Sequence, residues 1–157
     1  MIRVLSALTL ACVLAGAPAY AGHDASGGQV LINGQPLSDE TLAALGQVYG
    51  PVPAGDYWYD AFSGLWGVTG GPSTGRILPG LQVGGPLRAD ASGGGGGGTT
   101  GVFINGREIH PGEHQYLVAL FGAVNPGRYW LGPPLVGGLE GGPPLFDLRA
   151  SDTAAAG

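Results

Sequence analysis

The chain has 157 residues, with six arginines, no lysine and eleven acidic residues giving a formal charge of −5; it also carries 33 glycines, 13 prolines and one cysteine. An acidic chain without lysine lacks the electrostatic footprint for phosphate backbones or anionic membrane surfaces, so nucleic acid is not an expected partner. One cysteine excludes an intramolecular disulfide, and recurrent Val, Ile, Leu, Tyr and Trp exclude the disordered class that the glycine and proline content would otherwise suggest.

Arg3 and the uncharged stretch Val4 to Ala17 precede Pro18 and Ala19-Tyr20-Ala21. These are the n-region, apolar region and A-x-A cleavage site of a secretory signal peptide, with cleavage expected after Ala21. An uncleaved anchor needs roughly 20 continuous apolar residues, so no stable membrane insertion is expected after cleavage. A lipid anchor at Cys12 is disfavoured because Thr9-Leu10-Ala11 lacks a leucine three positions upstream. The mature protein is expected to be periplasmic or secreted.

An internal repeat with an offset of 72 follows: Val30-Leu31-Ile32-Asn33-Gly34 returns as Val102-Phe103-Ile104-Asn105-Gly106, and Gly55-Asp56-Tyr57-Trp58 as Gly127-Arg128-Tyr129-Trp130. Each copy begins with a short apolar strand and an Asn-Gly turn. Ser38-Asp39-Glu40 starts a helix, with Leu42, Leu45 and Val48 as its buried face and Gly50 as its end. In the second copy His110-Pro111-Gly112-Glu113 takes the start, and Leu117, Leu120 and Phe121 the buried face. Pro/Gly turns lead into Tyr57-Trp58-Tyr59 and Tyr129-Trp130-Leu131, each opening a hairpin; Leu65-Trp66-Gly67-Val68 is the return strand of the first. Ile77 to Val83 is read as one further strand. Gly93 to Gly98 reads as a flexible connector. The expected architecture is α+β: one domain over 22–149 made of two pseudo-symmetric strand-helix-hairpin units, about 29–69 and 101–148, with mostly antiparallel short strands and a disordered tail at 150–157.

The run Gly55-Asp56-Tyr57-Trp58-Tyr59-Asp60, Ser63-Gly64-Leu65-Trp66-Gly67, Leu81-Gln82-Val83-Gly84-Gly85, Asp90-Ala91-Ser92 and Val102 to Ile109 is similar to a segment of the plant extra-large G proteins that lies ahead of their Gα-like GTPase domain. Uncharacterised exported bacterial proteins share the pattern. The resemblance covers roughly Val30 to Trp130 and implies a common fold. It carries no nucleotide chemistry, because GTPase activity belongs to another domain and this chain has no lysine for a P-loop.

His110, Glu113 and His114 resemble a metal pair on a helix, but the order is not that of a zinc hydrolase and a third ligand is missing. Asp56 and Asp60 lie on one side of one strand, whereas a glycosidase needs carboxylates facing each other across a substrate. Gly70 to Arg76 could form an anion-binding nest, although an ordinary turn is the more frequent outcome. No catalytic residues, metal site or cofactor are assigned. The aromatic hairpin supplies the expected ligand contacts: Trp66, Trp58, Tyr59, Asp60 and Trp130. Trp58 and Trp130, being repeated, are also core candidates, whereas Trp66, without a counterpart, is expected on the surface. The expected function is non-catalytic binding of an envelope protein or glycan, ahead of an envelope enzyme or a self-associating structural component.

Overall fold

The computed structural model describes residues 28–94 and 99–149. The expected signal peptide, residues 95–98 of the glycine connector and the tail from 150 lie outside the described residues.

β1 (Val30–Ile32) ends at Asn33 and Gly34, whose φ values of 51° and 79° reverse the chain into the antiparallel β2 (Gln35–Pro36). Asparagine tolerates this left-handed conformation because its short polar side chain bonds locally. Ser38 caps α1 (Asp39–Tyr49) by accepting the Thr41 N–H at 3.2 Å, and Asp39 and Glu40 complement the positive helix end. Gly50 ends the helix at φ 86°. β3 (Gly55–Tyr59) then returns parallel to β1, the pairing that a helical crossover permits. β4 (Leu65–Val68) and β5 (Ser73–Arg76) complete a sheet of order β2-β1-β3-β4-β5.

The second unit repeats this path with β6 (Val102–Ile104), β7 (Arg107–Glu108), α2 (Pro111–Phe121), β8 (Gly127–Gly132), β9 (Val136–Leu139) and β10 (Phe146–Asp147). Its order is β7-β6-β8-β9-β10, with β6 parallel to β8. His110 caps α2 through Nδ1, which accepts the Gly112 N–H at 3.0 Å, while Glu113 reaches back to the His110 N–H at 2.9 Å. The fold is α+β, with two similar five-stranded mixed sheets and one helix in each.

The repeated asparagines do the same work in both sheets. Asn33 Oδ1 accepts the Tyr59 N–H and its Nδ2 donates to Tyr59 O; Asn105 makes the same two bonds with Leu131. Each side chain thus stands in for the next residue of a parallel strand just as β1 or β6 turns away.

Alternation along the strands sends Val30, Ile32, Tyr57, Tyr59 and Trp66 to the helix side of the first sheet. Leu42 and Tyr49 of α1 pack there, whereas Val48, an expected member of that face, is exposed. In α2 Leu117 packs inward, but Leu120 and Phe121, also expected inside, stay substantially exposed.

Ile77 to Val83 is not a strand. Pro79 lacks a ladder donor and Gly80 sits at φ 80°. Tyrosine hydroxyls replace a strand neighbour: Tyr59 donates to Leu78 O at 2.6 Å and accepts the Leu81 N–H at 3.2 Å, and Tyr49 accepts the Leu78 N–H at 3.1 Å. Ile77, Leu81 and Val83 are thereby held against the first core. Tyr59→Phe is expected to cost about 1–3 kcal/mol, since it strands a carbonyl and an amide at once.

Burial pushes the Tyr57 and Tyr59 phenols above their ordinary value of 10.0. The fold therefore favours the neutral phenol; this contribution is complete below pH 10 and is lost as pH rises through the raised values. The urea midpoint should fall above pH 10, and less steeply in Tyr59→Phe. Identical alkaline slopes for the two proteins would show that Tyr59 carries none of the effect.

Candidate functional site

The aromatic hairpin is mostly interior. Trp66, expected on the surface, is only 6% exposed: it faces α1 from β4, opposite Tyr59, and meets the Tyr57 ring edge-on with centroids 6.2 Å apart. Trp58 is buried on the other face of the sheet, and its indole N–H donates to Gly71 O at 3.2 Å. Tyr59 is committed to Leu78 and Leu81. Asp60 is buried at the hairpin turn, where Oδ1 accepts the Phe62 N–H and Oδ2 accepts Ser63 Oγ at 2.6 Å. Trp130 is half-buried, with its N–H on Gly142 O at 3.1 Å. A partner can reach little of the first four side chains. The exposed large apolar residue of this turn is Phe62.

The residues that alternate away from α1 form the junction between units. Leu65 packs into the second core, and Asp60 Oδ2 accepts Asn105 Nδ2 at 2.7 Å. Arg107, 1% exposed, lies with its guanidinium carbon 3.9 Å from the Trp58 ring centroid. It donates to Ser92 Oγ at 2.7 Å and to both Glu113 oxygens at 2.7 and 3.1 Å. Glu113 also accepts the Ser73 N–H at 3.1 Å, tying α2 to β5. Glu108 is buried beside this cluster and accepts Thr99 Oγ1 and the Thr100 and Gly101 N–H groups, which anchors the chain where it re-enters the second sheet.

Along this junction runs a cleft of about 650 Å³ between β5 and the start of α2. Leu65, Leu117 and Leu135 form its apolar floor, and Arg76, His110 and Tyr116 supply polar groups. Two smaller hollows, about 60 and 170 Å³, lie under α1 and α2 with nearly all-apolar walls.

The remaining sequence candidates are not brought together. His110 Nδ1 is engaged as a helix cap and His114 Nε2 lies 3.4 Å from Val124 O. Among the described residues there is no group of three or more His, Cys, Asp or Glu side chains able to hold a metal. The segment from Gly70 to Arg76 is no anion nest: the Gly70 and Gly71 amides are engaged by Ala91 O and Val68 O, and the rest is β5. No helix among the described residues is long and apolar enough to cross a membrane.

Arg76 was singled out only as the end of the Gly70 to Arg76 segment, and Tyr116 was not singled out in the sequence. A signal for Arg76 existed: no acidic residue occurs between Asp60 and Asp90, so this arginine has no carboxylate near it in the chain. Tyr116 gave no signal, because one exposed tyrosine on an amphipathic helix is ordinary.

No family model and no solved structure matches the chain. The sequence is 49% identical over 83 residues to the extra-large guanine nucleotide-binding protein 1 of Arabidopsis thaliana, a match that takes in 51% of this chain but 9% of the plant protein. The chain therefore has partial homology to one region of that much longer protein.

Proposed function

We propose that the chain is an exported, non-catalytic binding module of the cell envelope, and that its contact surface is the cleft between the two units. The observation that carries this reading is the 650 Å³ cleft itself, with an apolar floor and a few polar groups at its walls, the usual composition of a binding site. The signal-peptide pattern at residues 1–21 supports export. Guanine-nucleotide binding, named for the plant protein, is not carried over, because a P-loop needs a lysine and this chain has none. The partner is a protein or a glycan.

Moving the contact surface from the aromatic hairpin to the cleft changes the variant that tests it. Trp66→Ala would confound lost binding with lost fold. Tyr116 lines the cleft, is 54% exposed and supports no core cluster. Tagged protein comprising residues 22–157 should capture a partner from a native envelope extract, and Tyr116→Ala should capture at most about a tenth as much, the effect of truncating an aromatic contact. Equal capture by both would remove the cleft from the reading; capture of nothing in either protein or glycan fraction would remove binding.

A further inference from the structure

We propose that the cleft takes an extended peptide, which adds a strand to the open edge of β5 and sets a carboxylate against Arg76. This rests on the binding reading above and names the class of partner.

The edge is available. β5 is the last strand of its sheet, with β4 on one side and no strand of the described residues on the other. The Ile77 N–H bonds to Gly64 O at 2.9 Å. Antiparallel pairing alternates, so Gly75, opposite Trp66, faces β4, while the N–H and C=O of Arg76 point outward. Thr74 is the extra residue where the register shifts: Ser73 pairs with Gly67 and Gly75 with Trp66. The Ser73 N–H already ends on Glu113. The open stretch is therefore Thr74 to Arg76, and strand addition there uses main-chain bonds for affinity and alternate side chains for selectivity.

The charge selects the ligand. Four of the five described arginines hold carboxylates: Arg88 with Asp90, Arg107 with Glu113, Arg128 with Glu140 and Arg149 with Asp147. Arg76 has no carboxylate partner among the described residues. Its Nε donates to Ser63 O at 3.3 Å, which steadies the stem and leaves the two terminal nitrogens for an acceptor. Glu113 does not oppose an anion, being neutralised by Arg107 and bonded by the Ser73 and His110 amides. His110, with Nδ1 used as an acceptor, offers Nε2–H as a further donor. A carboxylate satisfies a guanidinium in a bidentate manner, as a neutral sugar hydroxyl does not. On an added strand, residues two away from that carboxylate point to the same face, where the partly buried Leu65 and Leu117 await apolar side chains.

The test is a titration of the ¹⁵N-labelled protein, residues 22–157, with the capped peptide acetyl-leucyl-threonyl-aspartyl-threonyl-leucyl amide and with its asparaginyl counterpart. The Thr74 and Arg76 amide resonances should move, and the asparaginyl peptide should bind about five- to tenfold more weakly, as expected for loss of a charge-assisted pair. Arg76→Gln should abolish that preference and Arg76→Lys keep part of it, with the remaining resonances of both variants unmoved. Equal affinity for the two peptides, an unchanged preference in Arg76→Gln, or still Thr74 and Arg76 amides would overturn the proposal. Cleft shifts with a neutral chitohexaose probe but not with the peptide would also overturn it while leaving the cleft as a binding surface. If neither probe moves a cleft resonance, the peptide proposal falls, and the Tyr116→Ala capture result separately decides the binding reading.

Discussion

Replacing Arg107 with alanine is expected to lower folding stability by about 3–5 kcal/mol, the usual loss when one partner of a buried ion pair is removed. The side chain is almost fully enclosed, and its three contacts serve different elements: the Trp58 ring of the first sheet, Ser92 in the segment between the two sheets and Glu113 of α2. Without it, Glu113, whose side chain is 16% exposed, keeps only amide donors for its charge. One face of Trp58 also loses its cover at the junction. Arg107→Lys should recover less than half of the loss, since an ammonium can neither stack flat on the indole nor engage both carboxylate oxygens in the same plane. Arg107→Met with Glu113→Gln should lie within about 1.5 kcal/mol of the original protein, because the shape is retained and no lone charge remains. Urea unfolding of the four proteins decides it. An Arg107→Ala midpoint close to the original would mean that the two units are not held together through this pair.

Much of this junction could not be read in the sequence, although the units it joins could. Asn33-Gly34, Asn105-Gly106, Ser38, Gly50 and Pro111 are local signals: each constrains φ or bonds within a few residues, so each was legible where it stood. The repeated Val-x-Ile and Tyr-Trp strings fixed which segments are strands. What sequence spacing left open was which residues meet across the chain. Glu113 reads as part of a polar helix start and Arg107 as a residue after the Asn105-Gly106 turn, and only the stacking of the second unit on the first turns them into an enclosed pair. Asp60 was legible as a turn residue but not as the acceptor for Asn105, 45 positions away. The expected face of α1 erred by one residue: Tyr49, seven positions after Leu42, shares its face, whereas Val48 falls about a third of a turn away.

Trp66 was misplaced for a reason specific to the repeat. The offset of 72 holds through the strand containing Tyr59 and Leu131, but the second hairpin is one residue shorter: Tyr59 pairs with Trp66, whereas Leu131 pairs with Gly137. Aligned at 71, Trp66 corresponds to Gly137, and its cross-strand neighbour Gly75 corresponds to Phe146. The aromatic ring has changed strands. Trp66 meets Tyr57 at 6.2 Å and 66°; Phe146 meets Tyr129 at 6.3 Å and 61°. In each sheet a glycine faces the ring, and a Cβ at Gly137 would lie 2.5 Å from the Phe146 ring. The counterpart of Trp66 is therefore a core position filled from the neighbouring strand, and a surface role for it does not follow from its apparent uniqueness.

Trp66→Ala should accordingly cost about 3–5 kcal/mol, the range for deleting a large buried aromatic side chain. The hollow under α1 is about 60 Å³ with the indole in place, against about 170 Å³ under α2, where the smaller phenyl ring does the same job. Removing the ring leaves Tyr57 without its edge-on neighbour. Trp66→Phe separates volume from chemistry: it gives up part of the indole but also removes an indole N–H that is buried without a partner. That group is costly to enclose, so the phenylalanine variant should lose no more than about 1.5 kcal/mol. The check is a urea melt followed by tyrosine and tryptophan fluorescence for the three proteins. An alanine variant as stable as the original, with its cleft resonances undisturbed, would return Trp66 to the list of dispensable surface rings. A large loss for alanine with a small one for phenylalanine would establish that this tryptophan is a packing element held in common by the two units, and that failure of Trp66→Ala to bind a partner reports on the fold alone.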